Sequence, residues 1–182
     1  MSAAARVIRI SSLAPGEATA WVEDDRWSLI AEERAGDSLP EGPSAVPLAA
    51  WKARRAELLL RGASVGVWLK PDDDPAELAP DLASLGFIAV QFPKFTDGRG
   101  YSTAALLRTR YRYTGELRAF GDVGRDQLFH LKRCGFDSFS LAAHRDPEAA
   151  LASFEDFSLR YQASVDDPVP LFRKRFATGA VR

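Results

Sequence analysis

The sequence predicts an α/β fold of parallel βα units, arranged as a partial or distorted barrel or an open sheet, with an N-terminal β-hairpin extension. Three observations predict it. Four short apolar runs are each followed by a segment with helical spacing of apolar residues. Glycines and Asp-Pro pairs punctuate the segments where helices would end and begin. The units recur every ~20–30 residues, the length of a right-handed crossover between parallel strands.

The N-terminal part predicts short strands rather than helices. Arg6–Ile10 is one strand-like run, and we expect Trp21–Val22 to form a hairpin with Trp27–Ile30 around the polar residues between them. Turn-forming residues are dense from Gly36 to Ser44, which is typical of a linker. The sequence therefore predicts four parts: a hairpin extension (1–35), a linker (36–46), an α/β domain (47–163) and an extended C-terminal tail (164–182).

The first βα units contain clear start and stop signals. Leu48–Leu60 has the apolar spacing of a helix and ends before Gly62, and Val65–Leu69 is typical of a buried strand. Asp74, followed by Pro75 and Glu77, has the form of a helix start. We expect that helix to continue to Gly86, with Pro80 kinking it or delaying its start.

The later units repeat the pattern. The predicted strands are Phe87–Phe92, Leu117–Phe120 and Phe136–Leu141. The predicted helices are Ser102–Tyr113, a helix carrying Leu128, Leu131 and Cys134, and a helix from Asp146-Pro147 whose apolar face includes Phe154, Phe157 and Tyr161.

Composition narrows the function classes. Twenty-four basic and 25 acidic residues give a net charge of −1, which argues against nucleic acid as the default partner. The single cysteine, Cys134, excludes an internal disulfide and a cysteine-based zinc or iron–sulfur site. No apolar run approaches the ~18 residues that a membrane helix needs, and Met1–Arg6 lacks a signal-peptide core. A cytoplasmic protein is expected.

The loop Phe92–Ser102 is the first candidate site, because it leaves a buried strand and leads into a helix. Gly98, Arg99 and Gly100 could cradle an anion on free backbone amides, with Arg99 as a bidentate clamp. Alternatively, they form a tight turn in which Arg99 pairs with Asp97. The predicted anion-binding residues are Lys94, Asp97, Gly98, Arg99, Gly100, Tyr101, Ser102 and Arg118.

Two further residues are candidate proton-transfer groups. Asp122 follows a predicted strand and could act as a general base, or it could cap the next helix. His144 follows the fourth strand and could act as a general acid or base, or be a solvated loop residue. Because the carboxyl ends of parallel strands share one edge, Arg99 and Asp122 should lie on the same edge.

No metal site is predicted, and no cofactor is identified. Asp72–Asp74 could bind a divalent cation, but a capping, solvated acidic turn is favoured. The spacing from Gly98 to Thr103 resembles half of a dinucleotide fingerprint, yet its third glycine is absent.

Four runs resemble the DUF934 family, a bacterial family of unknown function whose members are often described as oxidoreductases. The runs are FPKFTDGRGYS (Phe92–Ser102), TGELRAFGDV (Thr114–Val123), Asp126–Gln127 and RCGFD (Arg133–Asp137). The chain departs from the family pattern at Arg112, where a glycine is usual, and at Gly124, where a larger residue is usual. The resemblance implies an association with assimilatory sulfate and sulfite reduction.

Three hypotheses follow. The first is an accessory protein of sulfite reduction that binds an anion, sulfite reductase or another sulfur-assimilation enzyme through the carboxyl ends of the strands. The second is an oxidoreductase with a bound organic cofactor, since one cysteine and two histidines cannot build an iron–sulfur cluster. The third, ranked last, is a nucleic-acid-binding module.

Overall fold

The computed structural model describes residues 5–14, 19–156 and 161–173. The strands are β1 (Arg6–Ile10), β2 (Ala20–Asp24), β3 (Ser28–Leu29), β4 (Ser44–Pro47), β5 (Val65–Leu69), β6 (Phe87–Phe92), β7 (Glu116–Gly121) and β8 (Ser138–Phe139). The α-helices are α1 (Leu48–Leu59), α2 (Arg99–Thr109), α3 (Leu128–Arg133) and α4 (Pro147–Ala150). Short 3₁₀ turns span Glu32–Arg34, Gly62–Ser64, Pro75–Leu78, Arg125–Gln127 and Leu151–Glu155.

The strands form one mixed sheet in the order β2-β1-β8-β7-β6-β5-β4-β3. The strands from β3 to β8 are parallel and adjacent in chain order, whereas β1 and β2 add antiparallel at one end. Parallel strands that follow one another in one direction are joined by crossovers on the same face. The predicted α/β class with parallel βα units is confirmed.

A single short connection curls this sheet. β2 and β3 lie at opposite ends of the strand order, yet only Asp25–Trp27 separate them in the chain. Three residues span at most about 10–14 Å, so the two ends of the sheet must approach each other. The result is a curled open sheet, a half-barrel with an inner and an outer face.

The predicted N-terminal hairpin extension is present, but its strands are β1 and β2, which pair antiparallel. The expected pairing of Trp21–Val22 with Trp27–Ile30 is wrong, since β3 pairs in parallel with β4. The polar residues are not a turn because Asp25 is held inside the half-barrel, where its carboxylate accepts hydrogen bonds from Arg118 Nη1 at 2.7 Å.

The two faces have separate apolar cores. On the outer face, Trp51 of α1, Leu107 of α2 and Leu131 of α3 join the strand residues Ile88 and Val90 in one buried cluster. On the inner face a smaller cluster contains Trp27, Ala45, Trp68, Phe87 and Ala89. Alternate strand residues therefore divide between the two faces, as the period of two requires.

Several predicted boundaries move, each for a local reason. α2 begins at Arg99 rather than Ser102 and ends at Thr109. The segment after Asp74 forms only the turn Pro75–Leu78, because Pro80 lacks the N–H that a continuing helix would need. The predicted strand 136–141 is reduced to β8, and the helix after Asp146 has one α-helical turn followed by a 3₁₀ turn. Phe157 lies outside the described residues.

Both predicted Asp-Pro helix starts are present. Asp74 and Asp146 each accept a hydrogen bond from the amide two residues later, at 2.9 and 3.0 Å. The predicted linker contains β4, whose four residues are buried between β3 and β5. The predicted tail is anchored at its start, since Val165 N donates to Arg133 O at 3.1 Å. No described helix is long and apolar enough to cross a membrane.

Candidate functional site

The loops that follow β5, β6, β7 and β8 meet at one edge of the half-barrel. The parallel register places the ends of these strands side by side. Arg99 of the β6 loop pairs with Asp72 of the β5 loop, and Asp122 of the β7 loop accepts a hydrogen bond from the β6 loop. Arg99 and Asp122 therefore lie at the same edge, in neighbouring loops. We call the part of this edge formed by Asp72, Lys94, Phe95, Asp97 and Arg99 the carboxyl-edge face; all of these residues are exposed except Asp97, which is partly buried.

Arg99 is held by two carboxylates. Its Nε and Nη2 donate to the two oxygens of Asp97 at 3.0 and 2.6 Å, and Nη1 donates to Asp72. The Arg99 guanidinium lowers the pKa of Asp97, and Asp97 raises the pKa of Arg99. The arginine is half exposed, at 53% of its side chain, but its hydrogen-bonding edges are occupied. Of the two alternatives for this stretch, the Arg99–Asp97 pair is the one present.

The two glycines beside Arg99 belong to a helix start rather than to a loop. Gly98 is the N-cap of α2 and Gly100 lies in its first turn. A Cβ on Gly100 would lie 2.6 Å from Cζ of the buried Phe92, so the glycine permits α2 to pack closely on β6. Asp97 Oδ1 accepts the Arg99 amide at 3.2 Å, which further occupies this helix start.

The remaining residues of the predicted loop site face different surroundings. Lys94 and Ser102 are exposed. Tyr101 is half-buried, with its ring 5.4 Å from that of Phe92, and burial raises the pKa of its hydroxyl.

Asp122 has a positioning contact. Its Oδ2 accepts the backbone N–H of Phe95 at 3.0 Å, and its own N–H donates to Phe92 O at 2.7 Å. It does not cap the next helix, which was the alternative expectation; the Gly124 N–H at that helix start is accepted by Gln127 Oε1 at 2.8 Å. Asp122 therefore ties the β6 loop to the β7 loop.

Arg118 lies apart from the carboxyl-edge face. It is the third residue of β7, points into the half-barrel and is 1% exposed. It donates to Asp25, to Glu116 Oε1 at 2.8 Å and to Ser138 Oγ at 2.9 Å, and its guanidinium carbon lies 4.7 Å from the Phe87 ring centroid. The expectation that Arg118 joins Arg99 fails because strand alternation turns it inward, toward partners on β7, β8 and the Asp25–Trp27 connection.

His144 and Arg145 follow β8 at the same edge of the sheet. His144 is exposed. A Cβ on Gly124 would lie 2.7 Å from Arg145 Nη1 and 2.6 Å from Asp126 Oδ1, so this glycine leaves room for the β8 loop. The larger residue usual in the resembled family would need both side chains to move.

The described residues contain no candidate metal cluster and one free thiol. No cluster of three or more His, Cys, Asp or Glu side chains among them could hold a metal ion. Cys134 is partly buried, and burial raises the pKa of its thiol, so the thiolate is disfavoured.

Sequence reasoning missed a cleft inside the mouth of the half-barrel. It has a volume of about 290 Å³ and lies at the carboxyl ends of β5, β6 and β7. Its inner-face residues Trp68, Gln91 and Phe120 are each the penultimate residue of their strand. The period of two in these strands was the available signal, but it indicates a cleft only once the sheet is known to curl.

Comparison with known proteins gives one match. A family model described as "Bacterial protein of unknown function (DUF934)" matches residues 66–172, from β5 to the end of the described chain. No curated protein and no solved structure matches the chain.

Proposed function

The chain belongs to the DUF934 family of bacterial proteins of unknown function, and from this membership we propose that it is an accessory protein of assimilatory sulfite reduction. It docks sulfite reductase, or another enzyme of sulfur assimilation, through the carboxyl-edge face. The pathway is suggested by the family resemblance of the runs Phe92–Ser102 and Thr114–Val123. The mode of action is suggested by the geometry of the face.

One observation carries the docking proposal: Phe95 is an exposed aromatic residue on an anchored loop. Phe95 is 47% exposed. Its backbone N–H donates to Asp122 at 3.0 Å, and its carbonyl accepts from Gln127 Nε2 at 3.4 Å. Aromatic side chains are the commonest anchors of protein interfaces, and an anchored loop has less conformational entropy to lose on binding.

The charges around Phe95 support a protein partner over a free anion. Lys94 is exposed, whereas Arg99 already shares its charge with Asp97 and Asp72. A free anion would have to displace these carboxylates. A mixed pattern of fixed charges around an aromatic residue instead suits a complementary protein surface, where it gives specificity.

The test is direct binding to the organism's own purified sulfite reductase. We expect the wild-type protein to bind the reductase and Phe95→Ala to bind at least about tenfold more weakly, the usual loss at an interface anchor. Leu106→Ala is the matched control, since Leu106 is also an exposed apolar residue, at 39%, but lies on α2. Surface plasmon resonance measures the affinities, and thermal unfolding shows that both variants remain folded.

Two results would contradict the proposal. One is the absence of binding between wild-type protein and purified reductase. The other is equal affinity for Phe95→Ala and wild type, which would remove the carboxyl-edge face as the docking surface. Growth of cells carrying Phe95→Ala on sulfate as the sulfur source, with cysteine-supplemented cultures as the control, then shows whether this residue matters in the cell.

A second candidate function is an oxidoreductase with a bound organic cofactor. The cleft at the mouth of the half-barrel favours it, because barrel enzymes place their active sites at the carboxyl ends of the strands. Conjugated organic cofactors absorb at wavelengths above roughly 300 nm. Such absorbance by protein purified without added cofactor would favour this function.

A further inference from the structure

The cleft at the mouth of the half-barrel is separate from the carboxyl-edge face. It lies on the inner side of the curled sheet, beside Leu29 of β3 and the segment Ile30–Glu33 that follows it. Its volume of about 290 Å³ is close to the lower end of known small-molecule pockets, about 300–1,000 Å³. The lining residues are Leu29, Ile30, Ala31, Glu32, Glu33, Trp68, Lys70, Gln91 and Phe120.

The side-chain amide of Gln91 is an uncommitted polar group in the cleft. Val90 and Phe92, on either side of it, both belong to the outer core, so Gln91 points inward by strand alternation. It is paired in register with Phe120. Among the described residues its amide makes no hydrogen bond, although it is partly buried. A primary amide presents a donor and an acceptor side by side.

The walls beside Gln91 are aromatic and fixed in orientation. Trp68 and Phe120 meet edge to face, with ring centroids 5.8 Å apart and an interplanar angle of 83°. Trp68 Nε1 donates to Ile30 O at 2.9 Å, which uses the polar edge of the indole. The rings therefore present an apolar corner, which suits a flat ring better than a branched aliphatic group.

Three charged residues line the cleft, and two of them, Lys70 and Glu32, pair with each other. Lys70 Nζ lies 2.7 Å from Glu32 Oε1, and this carboxylate raises the pKa of Lys70. The pair is exposed on both sides, at 41% and 48%. Glu33 also lines the cleft, so its charged residues carry a net negative charge, and a neutral ligand fits better than an anion.

We propose that this cleft binds a neutral, planar heteroaromatic ring with a hydrogen-bond donor and acceptor adjacent on one edge. That edge, a lactam or an amidine, pairs with the Gln91 amide while the ring lies against Phe120 and Trp68. Purine and pteridine rings belong to this class. The proposal does not depend on the docking of sulfite reductase, because the two surfaces use different residues.

The test uses adenine and lumazine as probes of the class. Cyclohexanecarboxamide, an amide without a flat ring, and benzoate, a flat anion without the paired edge, are the comparison compounds. Saturation-transfer NMR and calorimetry on the full-length protein measure binding. We expect adenine or lumazine to bind at millimolar or lower concentration. Each comparison compound should bind at least about tenfold more weakly, because cyclohexanecarboxamide lacks the flat ring and benzoate lacks the paired donor and acceptor.

The decisive variant is Gln91→Leu, which removes the amide and leaves an apolar side chain one atom shorter. We expect this variant to bind the probe about tenfold more weakly than wild type. The melting temperature should stay unchanged, since the amide makes no hydrogen bond to another described residue. Leu60→Ala is the control, because Leu60 is 88% exposed and lies outside the cleft. The proposal fails if neither probe binds wild-type protein, or if Gln91→Leu binds the probe as wild type does.

Discussion

Arg118 is the most heavily partnered side chain inside the half-barrel. Almost wholly buried, it lies between the carboxylates of Asp25 and Glu116, at 2.7 and 2.8 Å, and over the ring of Phe87. Glu116 also pairs with Arg9. These contacts join β7 to β1 and to the connection between β2 and β3. Removing one member of a buried ion network is strongly destabilising, because it leaves a buried charge without compensation.

Replacing Arg118 alone should therefore be severe. Arg118→Met removes the buried arginine partner of Asp25 and leaves Glu116 only the arginines on its other side, and we expect a loss of about 3–5 kcal/mol in the free energy of unfolding. Urea denaturation at neutral pH measures it. The triple variant Asp25→Asn, Glu116→Gln, Arg118→Met removes the stranded charges and should recover part of the loss. If the single variant unfolds at the wild-type midpoint, the network carries no stability.

Asp122 distinguishes a positioning role from a catalytic one. Its contact to the Phe95 amide needs only an acceptor oxygen, which asparagine also supplies. Under the docking proposal, Asp122→Asn should bind sulfite reductase within about twofold of wild type, whereas Asp122→Ala should bind about tenfold more weakly because the loop is released. Surface plasmon resonance gives both affinities. Equal losses for Asn and Ala would point instead to the charge of Asp122, as a general base requires.

Arg112 is the strained backbone position of the described chain. Its φ of 54° lies in the left-handed region, where a side chain costs about 1–2 kcal/mol. This is the position at which the resembled family usually has glycine, and the left-handed conformation explains that preference. Arg112→Gly should raise the free energy of unfolding by about 1 kcal/mol. The control is Arg110→Gly, where φ is −83° and glycine should destabilise the helix end; equal effects of the two changes would contradict the strain argument.

For single side chains, the sequence predicted some contacts and not others. Arg99 and Asp97 are two positions apart, so their pairing could be weighed from local spacing. The partners of Arg118 could not, because Asp25 is 93 positions away and approaches only when the sheet curls. The edge on which Asp122 lies could be predicted, because strand order alone determines it. Its contact with the Phe95 amide could not, because that contact depends on the conformation of the loop.

Among the elements, the segment after β5 is held by side chains rather than by a helix. Only Pro75–Leu78 is a regular turn, and Asp81 fixes the rest to α1. Its carboxylate accepts Trp51 Nε1 at 2.9 Å and Arg55 Nε at 2.8 Å. The sequence indicated a full helix here because Leu78, Leu82 and Leu85 keep helical spacing, but periodicity does not register the cost of Pro80.

Asp81 should give this segment a pH-dependent stability. Hydrogen bonds from Arg55 hold the pKa of Asp81 below its ordinary value, so the charged form is favoured in the folded state. That contribution is complete above the unfolded pKa of about 3.9 and is lost as the pH falls through the lower folded pKa. Asp81→Asn should lower the urea midpoint at pH 7, and the difference from wild type should shrink below a pH of about 4.

The neighbouring pair Lys52–Glu77 is the control for this pH effect. It also joins α1 to the segment after β5, but both side chains are exposed, at 55% and 40%. Exposed ion pairs contribute little, so Glu77→Gln should leave the midpoint almost unchanged at both pH values. A constant difference between Asp81→Asn and wild type at every pH would show that packing, not charge, is responsible.

For the whole molecule, the half-barrel results from one chain segment that serves both ends of the sheet. β2 and β3 are almost continuous in sequence, and Trp27 between them stacks on Phe87 with ring centroids 4.2 Å apart. The class of fold was predictable because strands and helices alternate with short loops. A partial barrel and an open sheet were both predicted, and the sequence could not decide between them. The curl depends on parallel pairing between β3 and β4, strands of two and four residues with no local signal.

The same segment bears on whether residues 47–163, the predicted α/β domain, fold alone. Without residues 5–46, β8 loses β1, β5 loses β4, and the buried Arg118 and Glu116 lose Asp25 and Arg9. The outer core also loses Ile8, Ile10 and Val46, each buried. We expect fragment 47–163 to show no cooperative transition in urea. It has buried charges without their partners, which costs about 3–5 kcal/mol, and it exposes apolar surface that the N-terminal strands would cover.

Complementation makes this expectation specific. Adding residues 5–46 as a separate polypeptide should restore a cooperative transition to fragment 47–163, since it returns both ends of the sheet together with Asp25. The same polypeptide carrying Asp25→Ala and Trp27→Ala should not, because it lacks the contacts to Arg118 and Phe87. Circular dichroism and urea titration follow both mixtures. A cooperative transition for fragment 47–163 alone would show that the α/β units form an independent domain and that the N-terminal strands only extend it.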